Sequence, residues 1–271
     1  MSRPHPAFPE DILREILSYV LLVSPQDFFR HRPHSTDPLR EARDRNGQLL
    51  LVSKSWLRAG TPLLYASLEL SRPKHTSAVA KLFREHPDVG AAVRSLRLEG
   101  GLTKHLVHVA THTPNLRGLY IDLYFQYREP SIGLVHALPL FAPTDLYVDV
   151  RAPSRLYITK RSIEVKQLLF SHVASTWVSL RTVTFGPDWF WAMTSDIETA
   201  LINSSIEEFR CSTIDLWRLI IEGTMKTILE SGRVSRITYF GDAGAPRVLR
   251  NLLQEEGLSE HFHKFTFSAD P

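Results

Sequence analysis

The segment VRSLRL at residues 93–98 decides the fold, because its pattern returns six more times before the chain ends. In each copy two apolar residues flank one variable residue, which is the alternation of a strand with one buried face. The first apolar residue of each core stands at position 96, 119, 146, 183, 209, 237 or 265, so every gap but one lies between 23 and 28 residues. This spacing predicts a repeated structural unit over most of the chain.

Segments with apolar residues three and four positions apart lie between these strands, and they predict helices over residues 102–111, 161–175, 195–202, 215–229 and 246–255. Ser195 and Glu198 have the spacing of a capping box, and Gly232 stands where a helix C-cap belongs. A strand–helix–strand order at this spacing requires parallel strands. The one long gap, between positions 146 and 183, leaves room for an extra strand at residues 155–158.

The N-terminal region predicts a separate helical unit. A proline and two acidic residues at positions 9–11 favour a helix start, and the apolar stripe that follows predicts an amphipathic helix ending by Pro25. Residues 24–47 carry many charges but little apolar periodicity, which indicates a charged insertion or loop. A second helix is expected over residues 48–59, ended by the Thr-Pro pair at 61–62.

The composition indicates a soluble globular protein, with 43% hydrophobic and 23% charged residues in a chain of 271. The 32 basic and 29 acidic residues nearly cancel, so no basic surface for nucleic acid is expected. The apolar run at residues 16–23 is shorter than the roughly 20 residues that span a bilayer, and the acidic residues before it argue against a secretory signal. The lone Cys211 fits a reducing compartment, so we expect a cytoplasmic or nuclear protein without a membrane partner.

The N-terminal residues resemble an F-box. That family opens with an apolar residue and proline before a helix of Glu-x-Ile-Leu-x-x-Ile-Leu type, and FPEDILREIL stands at residues 8–17. The family's closing Val-Cys-Lys-x-Trp segment and apolar-Tyr pair correspond to VSKSW at residues 52–56 and Leu-Tyr at 64–65. Ser53 replaces the usual cysteine, and the charged stretch at 24–47 stands where the family's short second helix would follow.

The resemblance implies that residues 1–70 form a small helical module that performs no chemistry and binds the Skp-family adaptor subunit of a cullin-RING ubiquitin ligase. The residues to which it assigns the adaptor contact are Pro9, Ile12, Ile16, Leu17, Val52 and Trp56. The alternative is that the apolar stripe and Trp56 pack only against each other. Both can hold, because so short a module has too little interior for all of its large apolar side chains.

Residues 71–271 resemble the irregular leucine-rich repeats that follow the F-box in many fungal F-box proteins, although the consensus asparagine or cysteine ladder is missing. The resemblance implies an α/β fold in which an F-box-like helical module precedes a curved solenoid with parallel strands and outer helices. A doubly wound Rossmann-like sheet is the rival fold. No G-x-G-x-x-G or phosphate-loop motif follows any predicted strand, however.

The sequence offers weak candidates for catalysis. His105, His108 and His112 fall on one side of a predicted helix, but the outer two are roughly 10.5 Å apart, too far to share one metal ion. Cys211 occupies a core position of a predicted strand, where an inert thiol is expected. We therefore expect no catalytic residues, metal or cofactor, and a small-molecule enzyme of α/β fold stays open as an alternative.

Aromatic residues follow two predicted strands, at positions 124–127 and 189–191. Such rings are typical of binding surfaces, and the alternative is that they cover the ends of the core. The variable strand residues turn to the face opposite the core, expected to be the concave side of the array. The residues expected to bind a target are Tyr120, Asp122, Tyr124, Tyr147, Asp149, Trp189, Trp191 and Arg210.

Together these features predict the substrate-recognition subunit of a Skp-cullin-F-box ubiquitin ligase, which recruits a protein target for ubiquitination. The alternative is a repeat-based interaction scaffold that does not engage the ligase. The charged insertion at residues 24–47 is the observation that favours this alternative.

Overall fold

A computed structural model describes residues 9–30, 46–100, 102–125, 130–150, 159–186, 195–241 and 244–268. Within these ranges the chain is an α/β structure built on one eight-stranded sheet. Its strands are β1 (Ser67–Leu70), β2 (Ser95–Leu98), β3 (Gly118–Asp122), β4 (Asp145–Asp149), β5 (Thr182–Phe185), β6 (Glu208–Ser212), β7 (Arg236–Phe240) and β8 (Phe265–Ser268).

The strands follow one another across the sheet in chain order, and every neighbouring pair is parallel. The predicted alignment of the seven strand cores is confirmed. Leu96, Leu119 and Leu146 face one another across β2 to β4, and the ladder continues in the same phase to Phe265 in β8. The long gap before β5 therefore does not shift the register.

Helices connect the strands and precede them. The N-terminal helices are α1 (Glu10–Leu21), α2 (Pro25–Phe29) and α3 (Lys54–Tyr65). Those between the strands are α4 (Pro73–Glu85), α5 (Pro87–Ala91), α6 (His105–Thr111), α7 (Ile132–Ala137), α8 (Lys160–Ser175), α9 (Ser195–Asn203), α10 (Thr213–Ile221), α11 (Thr224–Glu230) and α12 (Ala245–Glu255). Single 3₁₀ turns span Gly47–Leu51, Leu138–Leu140 and Ser259–Lys264.

One continuous core lies between the sheet and the helices α4 to α12. It combines alternate strand residues such as Leu96 and Phe209 with helix residues such as Leu106 and Leu169. The strand residues predicted to be inward are buried from β2 to β7. Phe265 and Phe267 are only half-buried, because β8 is an edge strand with a neighbour on one side.

Strand β1 is an eighth strand that the seven-copy pattern does not include. It pairs in register with β2, so the sheet begins at Ser67, before the domain start expected at residue 71. Leu68, Glu69 and Leu70 repeat the apolar–variable–apolar pattern, but the strand directly follows α3 without a turn signal. The domain start expected at residue 71 therefore falls just after this strand.

Two predicted helices differ from the structure. The helix expected over 215–229 is two helices, α10 and α11, separated at Gly223, whose φ of +78° favours glycine. The helix expected over 48–59 is the 3₁₀ turn Gly47–Leu51 followed by α3, which Ser53 caps by accepting the Trp56 N–H. Pro62 lies inside α3 rather than ending it, because Leu63 and Leu64 beyond it pack against the core of the N-terminal helices.

The charged stretch at residues 24–47 is not wholly irregular. Ser24 and Pro25 begin the short helix α2, and the Ser24 hydroxyl accepts the backbone N–H of Asp27. The extra strand expected at 155–158 lies outside the described residues. In the part of the chain that the structure describes, every helix is too short or too polar to cross a membrane.

Replacing Phe209 with alanine tests the shared core. Phe209 is fully buried in β6 and packs edge-on against Phe185 at a ring distance of 5.4 Å. We expect this substitution to lower the free energy of unfolding by about 3–5 kcal/mol, because it leaves a cavity. Chemical denaturation of the full chain measures the loss. Val178→Ala, at a 73% exposed side chain, should cost less than about 0.5 kcal/mol, and an equal loss in both variants would contradict the shared core.

Candidate functional site

Helices α1 and α3 and the 3₁₀ turn Gly47–Leu51 form a small unit with a core of its own, which we call the N-terminal module. Its buried residues are Leu13, Leu17, Leu21, Leu50 and Ala59. Arg58 binds Glu10 through two hydrogen bonds of 3.0 and 2.9 Å, and this exposed pair links α3 to the start of α1. The hydrogen bond from Arg58 lowers the pKa of the Glu10 carboxyl.

A second apolar stripe of α1 faces away from this core. Ile12, Ile16 and Val20 stand four residues apart on one helix face, and each is close to half exposed. Leu51 is 82% exposed just before α3. The large apolar residues that the module leaves on its surface are Ile12, Ile16, Tyr19, Val20, Leu51, Val52 and Leu57.

The residues expected to contact an adaptor divide between the surface and the interior of the module. Pro9, Ile12, Ile16 and Val52 are exposed. Trp56 is half-buried against the module core. Leu17 is only 1% exposed and belongs to that core. Its side chain is therefore not available on the surface for the adaptor contact that the sequence predicts. The exposed apolar residues of α1 are instead Ile12, Ile16 and Val20 on the second stripe.

The other candidate surface is the sheet face opposite the main core, which we call the distal face. One residue from each strand forms a single row across it. In-register pairs connect the row, whose members are Glu69, Arg97, Tyr120, Tyr147, Thr184, Arg210, Thr238 and Thr266. The expected facing of these variable residues is confirmed by this register.

Helix α2 lies on the first half of the distal face. The buried Arg97 side chain donates from Nη1 to the carbonyl oxygens of Phe28 and Arg30, at 2.9 and 3.0 Å. Its guanidinium also stacks 3.9 Å from the centre of the Tyr120 ring. These bonds fix the end of α2 against β2 and β3, because a buried guanidinium without acceptors would be costly.

Phe29 fixes the same helix through its ring. The ring stacks on Tyr147 with a centroid distance of 4.2 Å and an angle of 12°. The tip of the same ring lies over Gly118, where an added Cβ would come within 2.6 Å of it. The absence of a side chain at Gly118 therefore leaves the space that Phe29 fills.

A cavity of about 340 Å³ lies beside α2 on the distal face. The end of α2 forms one wall, and residues of β3 to β8 form the rest. The residues that determine its chemistry are Asp27, Arg30, Tyr147, Asp149, Thr184 and Arg210. The row places three of them, Tyr147, Thr184 and Arg210, side by side on adjacent strands.

Glu208 holds the Arg210 side chain in place. Glu208 Oε1 accepts from Arg210 Nε at 2.9 Å and from the Thr238 hydroxyl at 3.0 Å. Burial acts to lower the pKa of Arg210, but the hydrogen bond and charge of Glu208 outweigh it, so this pKa is raised. Burial also raises the pKa of the Tyr147 hydroxyl. Both groups therefore keep their protons at neutral pH.

The expected target-binding residues occupy different environments. Tyr147 and Arg210 are half-buried and line the cavity together with Asp149. Tyr120 is buried beneath Phe28 and Phe29 and donates its hydroxyl to Asp149 at 2.8 Å. The expectation that Tyr120 stands on an open surface is therefore wrong, because α2 covers it.

The residues after β3 also differ from the expectation. Asp122 is buried, and its carboxylate accepts the backbone N–H of Tyr124 at 2.9 Å. Tyr124 packs against the main core and Phe125 is buried in it, so these two rings cover the core rather than facing a partner. Trp189 and Trp191 lie outside the described residues.

The residues considered for catalysis or metal binding do not form a reactive site among the described residues. Cys211 is buried in β6 as expected, and burial raises the pKa of its thiol well above the usual range. His112 Nδ1 forms a hydrogen bond of 2.8 Å with the backbone carbonyl of His108, one helical turn earlier. Among the described residues, no three His, Cys, Asp or Glu side chains come together as a metal site would require.

Sequence reasoning missed three residues that seat α2 beside the cavity, namely Phe28, Phe29 and Gly118. Alternation places Thr184 on the distal face, but the residue is not among those expected to bind a target. Two adjacent phenylalanines in a charged stretch were the available signal, since large rings rarely stay exposed. The contact that buries them joins residues 69 positions apart. Local periodicity therefore carries no information about it.

Comparisons with known proteins give no further assignment, since no protein-family model, curated protein or solved structure matches this chain.

Replacing Gly118 with alanine tests the docking of α2. The new methyl group would overlap the Phe29 ring, so we expect the backbone amides of residues 27–30 to exchange hydrogen at least tenfold faster, as expected for a segment that opens locally. Hydrogen exchange with mass spectrometry measures this in the full chain. Gly47→Ala is the matched control, because nothing lies within 4 Å of a Cβ there. Unchanged protection in Gly118→Ala would show that Phe29 does not depend on this space.

Proposed function

We propose that this chain is the substrate-recognition subunit of a Skp-cullin-F-box ubiquitin ligase. In this proposal the N-terminal module docks on a Skp-family adaptor and through it on a cullin-RING ligase. The sheet region carries a protein target, and catalysis belongs to other subunits. Such a subunit acts in the cytoplasm or the nucleus.

The exposed stripe of α1 is the observation that carries the proposal. Ile12, Ile16 and Val20 form a continuous apolar row on a helix whose other face is already buried. Leu51 and Val52 add exposed apolar area next to α3. A group of large apolar side chains left in water by a small folded unit is typical of a protein-binding surface.

The architecture of the sheet region supports the second part of the proposal. Eight parallel strands in chain order, with helices α4 to α12 packed on one face, agree with a curved solenoid of leucine-rich-repeat type. In such repeats the strand face opposite the helices is a natural binding surface. The cavity beside α2 lies on that face.

The contacts of α2 with the sheet support a fixed spacing between the N-terminal module and the sheet region. Arg97 and Phe29 connect the segment after α1 directly to β2 and β4. A receptor subunit raises the effective concentration of its target near the ubiquitin-carrying enzyme, and a fixed spacing serves this purpose better than a free linker.

Replacing Ile16 with aspartate tests adaptor binding. Ile16 is 47% exposed, so the variant should fold. We expect purified protein to bind a purified Skp-family adaptor at tens of micromolar or tighter, and the variant to lose this binding at least tenfold, because a carboxylate would be desolvated in an apolar interface. Isothermal titration calorimetry measures both affinities.

A matched control separates a specific contact from a general effect of the charge. Ile163 on α8 is 43% exposed and lies outside the module, so Ile163→Asp makes the same change elsewhere. This control should keep full adaptor binding. If the wild-type chain does not bind the adaptor at all, the ligase assignment is wrong and the interaction scaffold replaces it.

A further inference from the structure

The cavity on the distal face is lined by an arginine whose terminal amino groups make no hydrogen bond to the described residues. Arg210 donates from Nε to Glu208, whose same oxygen accepts the Thr238 hydroxyl. Within the described residues, neither Nη1 nor Nη2 of Arg210 donates a hydrogen bond. Glu208 thus holds the guanidinium through Nε, and the Nη groups carry the donors that Glu208 does not use.

Two hydroxyl groups on the strands next to Arg210 likewise have no hydrogen-bond partner in the described part of the chain. The Thr184 hydroxyl is buried and has no hydrogen-bond partner in the part of the chain that is described. The Tyr147 hydroxyl also makes no hydrogen bond there. A buried hydroxyl without a partner costs free energy, and a bound ligand would remove this cost.

The two carboxylates that line the cavity already have donors. Asp149 accepts from the Tyr120 hydroxyl and from its neighbour's backbone N–H, each at 2.8 Å. Asp27 accepts the Ser24 hydroxyl at 2.7 Å. A second cation, Arg30, lines the same space. The Nη groups of Arg210 can only donate, and the hydroxyls of Thr184 and Tyr147 can donate as well as accept, which matches a ligand with acceptor oxygens.

We propose that this cavity binds a carboxylate of an acidic peptide segment, held by the Nη groups of Arg210 and by the hydroxyls of Thr184 and Tyr147. A carboxylate presents two acceptor oxygens in the plane that a guanidinium edge fits. The volume of about 340 Å³ is at the lower end of ligand pockets, which suits one side chain with its flanking backbone. The inference rests on the proposed function only in assigning the peptide to a recruited target.

Capped peptide libraries test the inference with the full-length protein. Three pentapeptide libraries carry a central glutamate, glutamine or lysine between uncharged random residues, and equilibrium dialysis with mass spectrometry measures the bound fraction. We expect the glutamate library to be captured about tenfold to a hundredfold better than the glutamine library, the range of a charge-assisted hydrogen-bond pair. Equal capture of these two, or preference for lysine, would overturn the inference.

Arg210→Gln should remove the preference for glutamate. Arg236→Gln is the matched control, because Arg236 is exposed on the neighbouring strand β7, in register with Glu208, and does not line the cavity. It makes the same change of charge on the same face of the sheet and should leave the preference intact. An equal loss in both variants would mean that only the overall charge of the face matters, and the inference would fail.

Thr184→Val provides a second variant that does not depend on charge. It keeps the shape of the side chain and removes a buried hydroxyl without a partner, so the thermal midpoint should stay equal or rise. Glutamate capture should nevertheless fall several-fold. Unchanged capture in this variant and in Arg210→Gln would overturn the inference. Adaptor binding is measured separately, so its loss or retention bears on the proposed function alone.

Discussion

The unshifted parallel pairing of β1 to β8 is the constraint on which the rest of the structure depends. Side chains alternate between the faces of a strand, so the phase set at Leu96 decides the facing of every residue in the sheet. A slip of one residue between two strands would turn Arg210 into the core and Phe209 out of it. The same constraint brings Tyr147, Thr184 and Arg210 together, although they come from different strands.

The first half of the distal face is completed by the chain itself. Arg97 lies fully buried on a sheet face that would otherwise meet water, and it takes its acceptors from the carbonyl groups at the end of α2. Phe29 adds ring stacking on Tyr147. The arrangement brings the carbonyl groups at the end of a short helix into contact with a buried cation, and Arg97 Nη1 donates to both of them.

The strands and their register could be predicted because the information is local. Each strand carries its own apolar pair, and the connecting helices return the chain to the same phase, so Leu119 and Phe209 were identified from periodicity alone. The surface could not be predicted in the same way. Whether Tyr120 is open or covered depends on α2, whose contact with Arg97 crosses 69 positions and leaves no periodic signal.

The cavity shows the same division between local and distant information. Its strand residues follow from alternation, and Arg210 and Tyr147 were expected on this face. That the Thr184 hydroxyl has no partner among the described residues depends on how neighbouring side chains divide the available hydrogen bonds, which the order of residues does not reveal. Leu17 was misplaced because the two apolar stripes of α1 adjoin, and only packing against α3 decides which one is inside.

One wall of the cavity belongs to α2 and the others to the sheet, and this shared construction has a thermodynamic consequence. A ligand that contacts both walls binds the docked arrangement of α2 more tightly than an undocked one. Reciprocity of coupled equilibria then requires that occupancy stabilise docking by the same free energy by which docking strengthens binding. Filling the cavity and docking α2 on the sheet are therefore coupled.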